Sequence, residues 1–390
     1  MDDRDTPYVV VVLGGYGNFG KRISAALAKL AGIRLVIAGR HLAKAEVLCA
    51  SLSAQQAVAQ FQPVAIDISA ADFVERIAAC APGLVIHTSG PFQGQDYRVP
   101  EACIALRCHY IDLADDRRFV CDITRLETQA RQAGVLVVSG ASSVPGLSST
   151  VVDHFASRFT QISSIDSAIA PGNRAERGEA TVGAILSYTG HKLPVWRAGR
   201  WQAIYGWMSP RKRDFGSIVG KRWLANVDVP DLELFARRYD GVKNVTFQAG
   251  LELGFLHWGM VAMAWCSKVG LVKDWSRWTK AIVAASRWFI DLGSATGGMQ
   301  VTVTGRDASN KPLAIQWRLA VEHGSGPYIP TLSALILAKK LIAGSLSECG
   351  AKPCLGLYSL AEFKAEAAPW GLKYECVVNG EVVDEPLLFA

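Results

Sequence analysis

The chain has 390 residues, 50% of them hydrophobic and 19% charged, with a formal net charge of +6 at pH 7. That length accommodates two domains with separate cores, and so small a charge does not by itself argue for nucleic acid. Nine scattered cysteines, an odd number with no C-x-x-C pair and no metal-ligand spacing, fit buried thiols of a reducing cytoplasm better than a disulfide framework. The acidic start, MDDRDTP, lacks an apolar segment, so no secretory signal is expected.

The first predicted strand is the apolar run Tyr8–Leu13. It stops at a glycine-rich turn, and a helical pattern follows with Phe19, Ile23, Leu27 and Leu30 on one face. Gly15, Gly17 and Gly20 satisfy G-x-G-x-x-G between strand and helix, with Tyr16, Asn18 and Phe19 between them. One glycine permits a tight turn, the next lets a pyrophosphate approach the backbone, and the third lets helix and strand touch. Free amides of the first helical turn then face the phosphates. The second strand, Arg34–Ala38, leads into Gly39-Arg40-His41. NAD-binding chains place a carboxylate about 20 residues past the glycines. Here that position is Arg40, Lys44 follows one turn later, and no acid occurs before Glu46. A guanidinium pairs bidentately with a 2′-phosphate, so the pattern implies NADP as cofactor.

Further strands are predicted at Phe61–Ile68, Leu84–Ser89, His109–Ala114 and Val135–Gly140, alternating with helices at 69–80, from Pro100, and at 117–133. Six strands in this rhythm predict an α/β Rossmann domain, a doubly wound parallel sheet, over residues 1–145. The acids Asp112, Asp115 and Asp116 read as charge partners of Arg117 and Arg118 at a helix start.

Beyond Ser148 the rhythm changes. A helix at 148–158, a strand at 163–170 and a hairpin of Met299–Gly305 with Leu313–Val321 predict a second α+β domain, 146–326, on a mixed or antiparallel sheet. Trp196–Trp223, rich in basic and aromatic residues, reads as a lid over a substrate, a membrane-interface patch or a folded segment with core tryptophans. Ala249–Cys266 reads as a buried or interfacial helix rather than a span, since Glu252 and His257 are costly in lipid. From Pro330 a helical pattern runs to Gly344.

GGYGNFG, AGR, SGPF, EACIALRCHYIDLADDRRF and SGASSVPGLSS together resemble the saccharopine dehydrogenase-like oxidoreductases, most closely bacterial members carrying a saccharopine dehydrogenase NADP-binding domain. The resemblance is specific over the first 155 or so residues and looser in GPYIPTLSALILAKKL. It implies an inserted substrate domain and C-terminal helices, 327–390, that return to the Rossmann domain. It places Asp67 beside an adenine and Ser89, Gly90, Pro91 and Phe92 under ribose and nicotinamide. Relatives acting on lysine-derived amino acids carry an acidic or small residue before a Pro-Gly near the sixth strand. Here Val144 precedes Pro145-Gly146, which argues against saccharopine and simple amino acids as substrates.

Hydride chemistry needs a positioned nicotinamide and a proton donor or acceptor. The candidates are His87, Tyr97, His323 and Tyr328. His323 and Tyr328 rank first for substrate contact, because Gly324 and Gly326 permit close backbone approach. No metal site, G-x-S-x-G, H-E-x-x-H or P-loop is present. The expectation is an NADP-dependent oxidoreductase transferring hydride to or from a C=N, C=O or C=C bond of a small-molecule or lipid substrate. The rival reading is a non-catalytic NADP-binding sensor, or a protein that docks to a membrane or partner. A cytoplasmic location at the inner face of the membrane, a peripheral membrane contact and a homodimer complete the expectations; nucleic acid is not expected.

Overall fold

A computed structural model describes residues 6–388 apart from Gln56 and Arg177; most of the acidic N-terminal segment lies outside the described residues. In chain order the first elements are β1 (Tyr8–Leu13), α1 (Gly20–Leu27), β2 (Ile33–Gly39), α2 (Leu42–Ala54), β3 (Gln60–Ala65), α3 (Phe73–Ala79) and β4 (Leu84–His87). They are followed by α4 (Arg98–Ala105), β5 (His109–Asp112), α5 (Arg117–Asp122), α6 (Glu127–Ala133), β6 (Leu136–Ser139) and α7 (Ser148–Ala156). Next come β7 (Gln161–Ala170), α8 (Glu179–Ser187), β8 (Lys192–Arg197), β9 (Arg200–Tyr205), β10 (Arg211–Asp214), β11 (Lys221–Asn226), α9 (Asp231–Arg238) and β12 (Asn244–Ala249). The last are α10 (Gly254–Lys268), α11 (Thr279–Arg287), β13 (Gly297–Arg306), β14 (Pro312–Val321), α12 (Ile329–Ile342), β15 (Gly350–Pro353), α13 (Leu360–Ala367), β16 (Lys373–Val378) and β17 (Glu381–Val383).

The chain divides into two units, one of Met1–Gly146 with Tyr328–Tyr358 and one of Leu147–Pro327 with Ser359–Ala390. The first holds a seven-stranded sheet in the order β15-β6-β5-β4-β1-β2-β3, parallel throughout. Strands such as β1 and β4 are buried on both faces, which is why they read as unbroken apolar runs. The third strand ends at Ala65, short of the predicted Ile68, and Pro63 within it is tolerated because β3 is the sheet edge. Helix α12 is buried on nearly every side over its first three turns, as a predominantly apolar helix is expected to be, and places its two lysines, Lys339 and Lys340, in the last turn.

The second unit holds an eight-stranded mixed sheet in the order β10-β11-β12-β7-β13-β14-β16-β17. Its β13–β14 hairpin closes on Asp307, whose carboxylate accepts from the amides of Ser309 at 2.9 Å and Lys311 at 2.8 Å. The tail does not return whole to the Rossmann unit. Only α12 and β15 join it, while β16 pairs with β14 and turns at Asn379-Gly380 into β17. Asn-Gly between apolar runs is a hairpin signal, and it takes the place of the expected helices.

Trp196–Trp223 is folded, with β8 and β9 as a separate two-stranded hairpin and Trp207 fully buried. Ala249–Cys266 splits into the end of β12 and most of α10. Among the described residues no helix is long and apolar enough to cross a membrane, and no cluster of His, Cys, Asp or Glu could hold a metal ion. All nine cysteines are free.

Candidate functional site

In the first sheet the chain leaves β1 for β2 on one side and later crosses back to β4 on the other. The carboxyl ends of β1 and β4 thus form the switch point where ligands of such sheets bind. The amide of Thr88 donates to Leu13 O at 2.9 Å, and its hydroxyl donates to Leu13 O at 2.8 Å and Gly14 O at 3.1 Å. The loop after β4 is therefore laced to the glycine turn after β1.

The turn is held by its own backbone. Gly14 and Gly15 both donate to Ala38 O, at 2.8 and 3.0 Å, and Gly17 donates to Gly14 O at 2.7 Å. Gly14 has φ +74°, and a Cβ there would stand 2.8 Å from the hydroxyls of Thr88 and Ser89. A Cβ on Gly20 would stand 2.1 Å from Gly14 O, so α1 lies directly on the turn. Gly17 differs, since a Cβ there would meet only Gly14 O, at 3.0 Å. Its open side, together with amides of Asn18, Phe19 and Gly20 that reach no backbone carbonyl among the described residues, makes a cradle for an anion. The residues present therefore fit a pyrophosphate.

Tyr16 spans from this turn to the end of β2. Its ring covers Gly39, where a Cβ would stand 2.6 Å from the hydroxyl, and that hydroxyl accepts from the amide of His41 at 2.8 Å. Arg40 and Lys44 follow at once. Both are exposed, and among the described residues neither side chain makes an ion pair or hydrogen bond. Asn18 is fixed by the Arg22 guanidinium at 2.5 Å from its side-chain oxygen, and Arg22 also lies 5.0 Å over the ring of Tyr328. Asp67 is half-buried, with one oxygen taken by the amide of Ser69 at 2.9 Å.

In the loop after β4, Ser89 abuts Gly14 while Gly90 and Pro91 are exposed. Gln95 fastens it by donating to Ser89 O at 2.9 Å and Pro91 O at 2.6 Å. Phe92 turns inward, buried between His87 at 5.0 Å and Phe119 at 5.3 Å. Ser89, Gly90 and Pro91 are left beside the switch point.

Of the four acid/base candidates, His87 lies in the interior and Tyr97 is half-buried with its hydroxyl already engaged. His87 is fully buried, its Nδ1 lies 3.0 Å from the Tyr110 hydroxyl, and burial pulls its pKa down to about 3. The Tyr97 hydroxyl donates to Phe119 O at 2.9 Å, and burial raises its pKa well above the ordinary value. Tyr328 belongs to the first unit, over Arg22, whereas His323 sits in an exposed turn of the second at φ +54°.

Within the acidic cluster Asp112 departs from the expected charge pairing, whereas Asp116 does stand at the helix start beside Arg117 and Arg118. Asp112 is fully buried and accepts from the amides of Gly140 at 2.8 Å and Ala114 at 2.9 Å and from Ser139 Oγ at 3.0 Å. Desolvation lifts its pKa to about 6. Asp116 accepts from the amide of Phe119 at 2.8 Å and caps α5. Val144 is buried in the loop after β6, which Ser333 of α12 holds through Ser142 O at 2.9 Å. A cavity of about 410 Å³ lies elsewhere, in the second unit beside Phe215 and Tyr374. Of its three cations, Arg318, Lys364 and Lys373, the first two are paired with Glu375 at 2.6 Å and Glu385 at 2.7 Å.

Sequence reasoning missed Gly14, the residue that carries the left-handed turn, and Thr88, which ties the two loops. A fourth glycine, directly before Gly15, and a hydroxyl at the end of an apolar strand were the available signals.

Residues 10–138 match the family model of the saccharopine dehydrogenase NADP binding domain. No curated protein matches the sequence. Among solved structures, the chain is similar to saccharopine dehydrogenase (L-Glu forming) of Saccharomyces cerevisiae at 14% identity and TM-score 0.66, over 95% of this chain and 100% of that one. It is also similar to a metagenomic short-chain oxidoreductase in complex with NADP, at 18% identity and TM-score 0.27 over 35% of this chain and 82% of that one. A short-chain type dehydrogenase/reductase of Mycobacterium ulcerans matches at 17% identity and TM-score 0.27 over 34% and 66%. Residues 10–138 thus carry an NADP-binding domain of the saccharopine dehydrogenase kind, and the chain as a whole shares the fold of saccharopine dehydrogenase.

Proposed function

We propose that the protein is an NADP-dependent oxidoreductase that transfers hydride to or from a C=N, C=O or C=C bond of a small-molecule or lipid substrate. The observation that carries this reading is the open, amide-lined glycine turn with the unpaired Arg40 and Lys44 at the neighbouring strand end. The free amides hold the pyrophosphate, the two cations hold the 2′-phosphate, and the backbone of Ser89–Pro91 orients the nicotinamide end. When bound, NADP supplies the hydride chemistry. For the proton, His87 and Tyr97 are withdrawn by burial and by a backbone hydrogen bond, which leaves Tyr328 and His323. Buried Val144 offers no charge to a substrate ammonium, which supports a substrate other than saccharopine.

A guanidinium–phosphate pair contributes about 1.5–3 kcal/mol, so NADPH is expected to bind at least about tenfold tighter than NADH, with Arg40→Ala removing most of the gap. Equal affinities in a fluorescence titration overturn the cofactor preference. Incubation with NADPH and soluble or lipid extracts should give substrate-dependent loss of nicotinamide absorbance. The withdrawal of His87 and Tyr97 favours a second reading, a non-catalytic NADP sensor. Tight NADPH binding with no consumption by either extract selects it.

A further inference from the structure

Helix α10 presents its apolar side the wrong way for a soluble helix. His257, Val261 and Ala264 face inward, while Phe255, Trp258, Gly259, Ala262, Trp265 and Val269 fall at exposed positions three and four apart. These six form one stripe, and no charge interrupts it. Trp258 is 46% and Trp265 50% exposed. Helix α11 adds a parallel arrangement. Trp278, Ala281, Ala285 and Trp288 are exposed along one line, and Arg277, Lys280 and Arg287 flank it. Trp288 is 82% exposed.

The two stripes belong to one surface. Trp275, just before α11, donates its indole N–H to Met263 O of α10 at 2.9 Å, and the rings of Phe255 and Phe289 meet at 5.1 Å. Cations edge it, for Lys268 sits 4.5 Å from the Trp265 ring, and residues 254–292 contain five Lys or Arg against two Asp.

From this juxtaposition we infer that the outward face of α10 and α11 seats the protein on the interface of an anionic lipid bilayer. Tryptophan favours the headgroup level, where its ring is apolar-solvated and its N–H stays wet. An apolar stripe edged by cations is the pattern of helices that lie in that plane. Spanning is excluded by length: α10 has 15 residues, about 22 Å at about 1.5 Å per residue, against a hydrocarbon core of about 30 Å. Charge selects the occupant. In a symmetric pairing the patch meets itself, so Arg277, Lys280 and Arg287 would face their own copies, whereas anionic headgroups neutralise them. The face lies in the unit without the glycine turn and Arg40, so this inference stands apart from the NADP reading.

The test is flotation of the full chain with vesicles of phosphatidylcholine alone or mixed two to one with phosphatidylglycerol. Binding to the mixed vesicles is expected, at least about tenfold stronger than to the neutral ones, and weakened by salt. Arg277→Gln with Lys280→Gln should reduce the mixed-vesicle partition by at least about tenfold. Trp258→Ser with Trp265→Ser should reduce it by a similar factor on either vesicle. These side chains are exposed, so circular dichroism should match wild type. Should that variant misfold, brominated acyl chains must still quench wild-type tryptophan fluorescence. Absence of flotation, flotation indifferent to the tryptophan changes, or an unquenched signal overturns the inference. A concentration-dependent dimer without vesicle binding, lost in the tryptophan variant, would overturn it in favour of a second copy.

Discussion

Gly17 and Gly20 look alike in a motif but do different work. At Gly20 an added Cβ would stand 2.1 Å from one backbone oxygen and 2.8 Å from two further backbone atoms, none of which is the end of a flexible side chain. Overpacking of this kind costs about 1–3 kcal/mol or more, so Gly20→Ala should lower the melting temperature with or without cofactor. At Gly17 only one atom is met, so Gly17→Ala should melt close to wild type yet lose at least about tenfold in NADPH affinity. Melting curves taken with and without NADPH separate the two, and unchanged NADPH binding by Gly17→Ala would remove the cradle. The motif was readable because its chemistry is local. The role of His87 was not, since β4 is covered on both faces and alternation along such a strand does not say which side is solvent.

At the scale of elements, α9 carries a pH-dependent load. It begins at Asp231, a fully buried carboxyl whose pKa burial raises to about 7. The folded form then holds its proton where the unfolded chain, at about 3.9, has released it. Its contribution to stability is complete below about pH 4 and is lost as pH rises through about 7, at about 1.4 kcal/mol per pH unit in that window. Asp231→Asn has no proton to lose. The difference in melting temperature, variant minus wild type, should therefore grow steadily from acid to neutral pH, and parallel curves would show that Asp231 does not titrate this way. Among elements, the parallel strands of the first sheet were legible as apolar runs and the β13–β14 hairpin by its polar turn. Strand β15 was not legible, because GAKP has no apolar pattern and pairs only as an edge beside β6. The second hairpin did carry its Asn-Gly signal, masked by a family expectation of helices.

For the molecule as a whole, the nucleotide-binding unit is discontinuous: α12 and β15 come from residues 328–358. A chain ending at Gly146 lacks a helix that is buried on nearly all sides and the strand that covers β6. It should be insoluble or fail to bind NADPH, and rejoining 328–358 to Gly146 through a short flexible linker should restore both. Near-ultraviolet circular dichroism and a cofactor titration check this, and a folded, NADPH-binding 146-residue fragment would refute it. The same late edge strand has a consequence on the ribosome. Translation at about 5–20 residues per second leaves an interval on the order of ten to forty seconds between the emergence of β6 and that of β15. Throughout that interval the flank of the nascent sheet beside β6 has no strand to cover it.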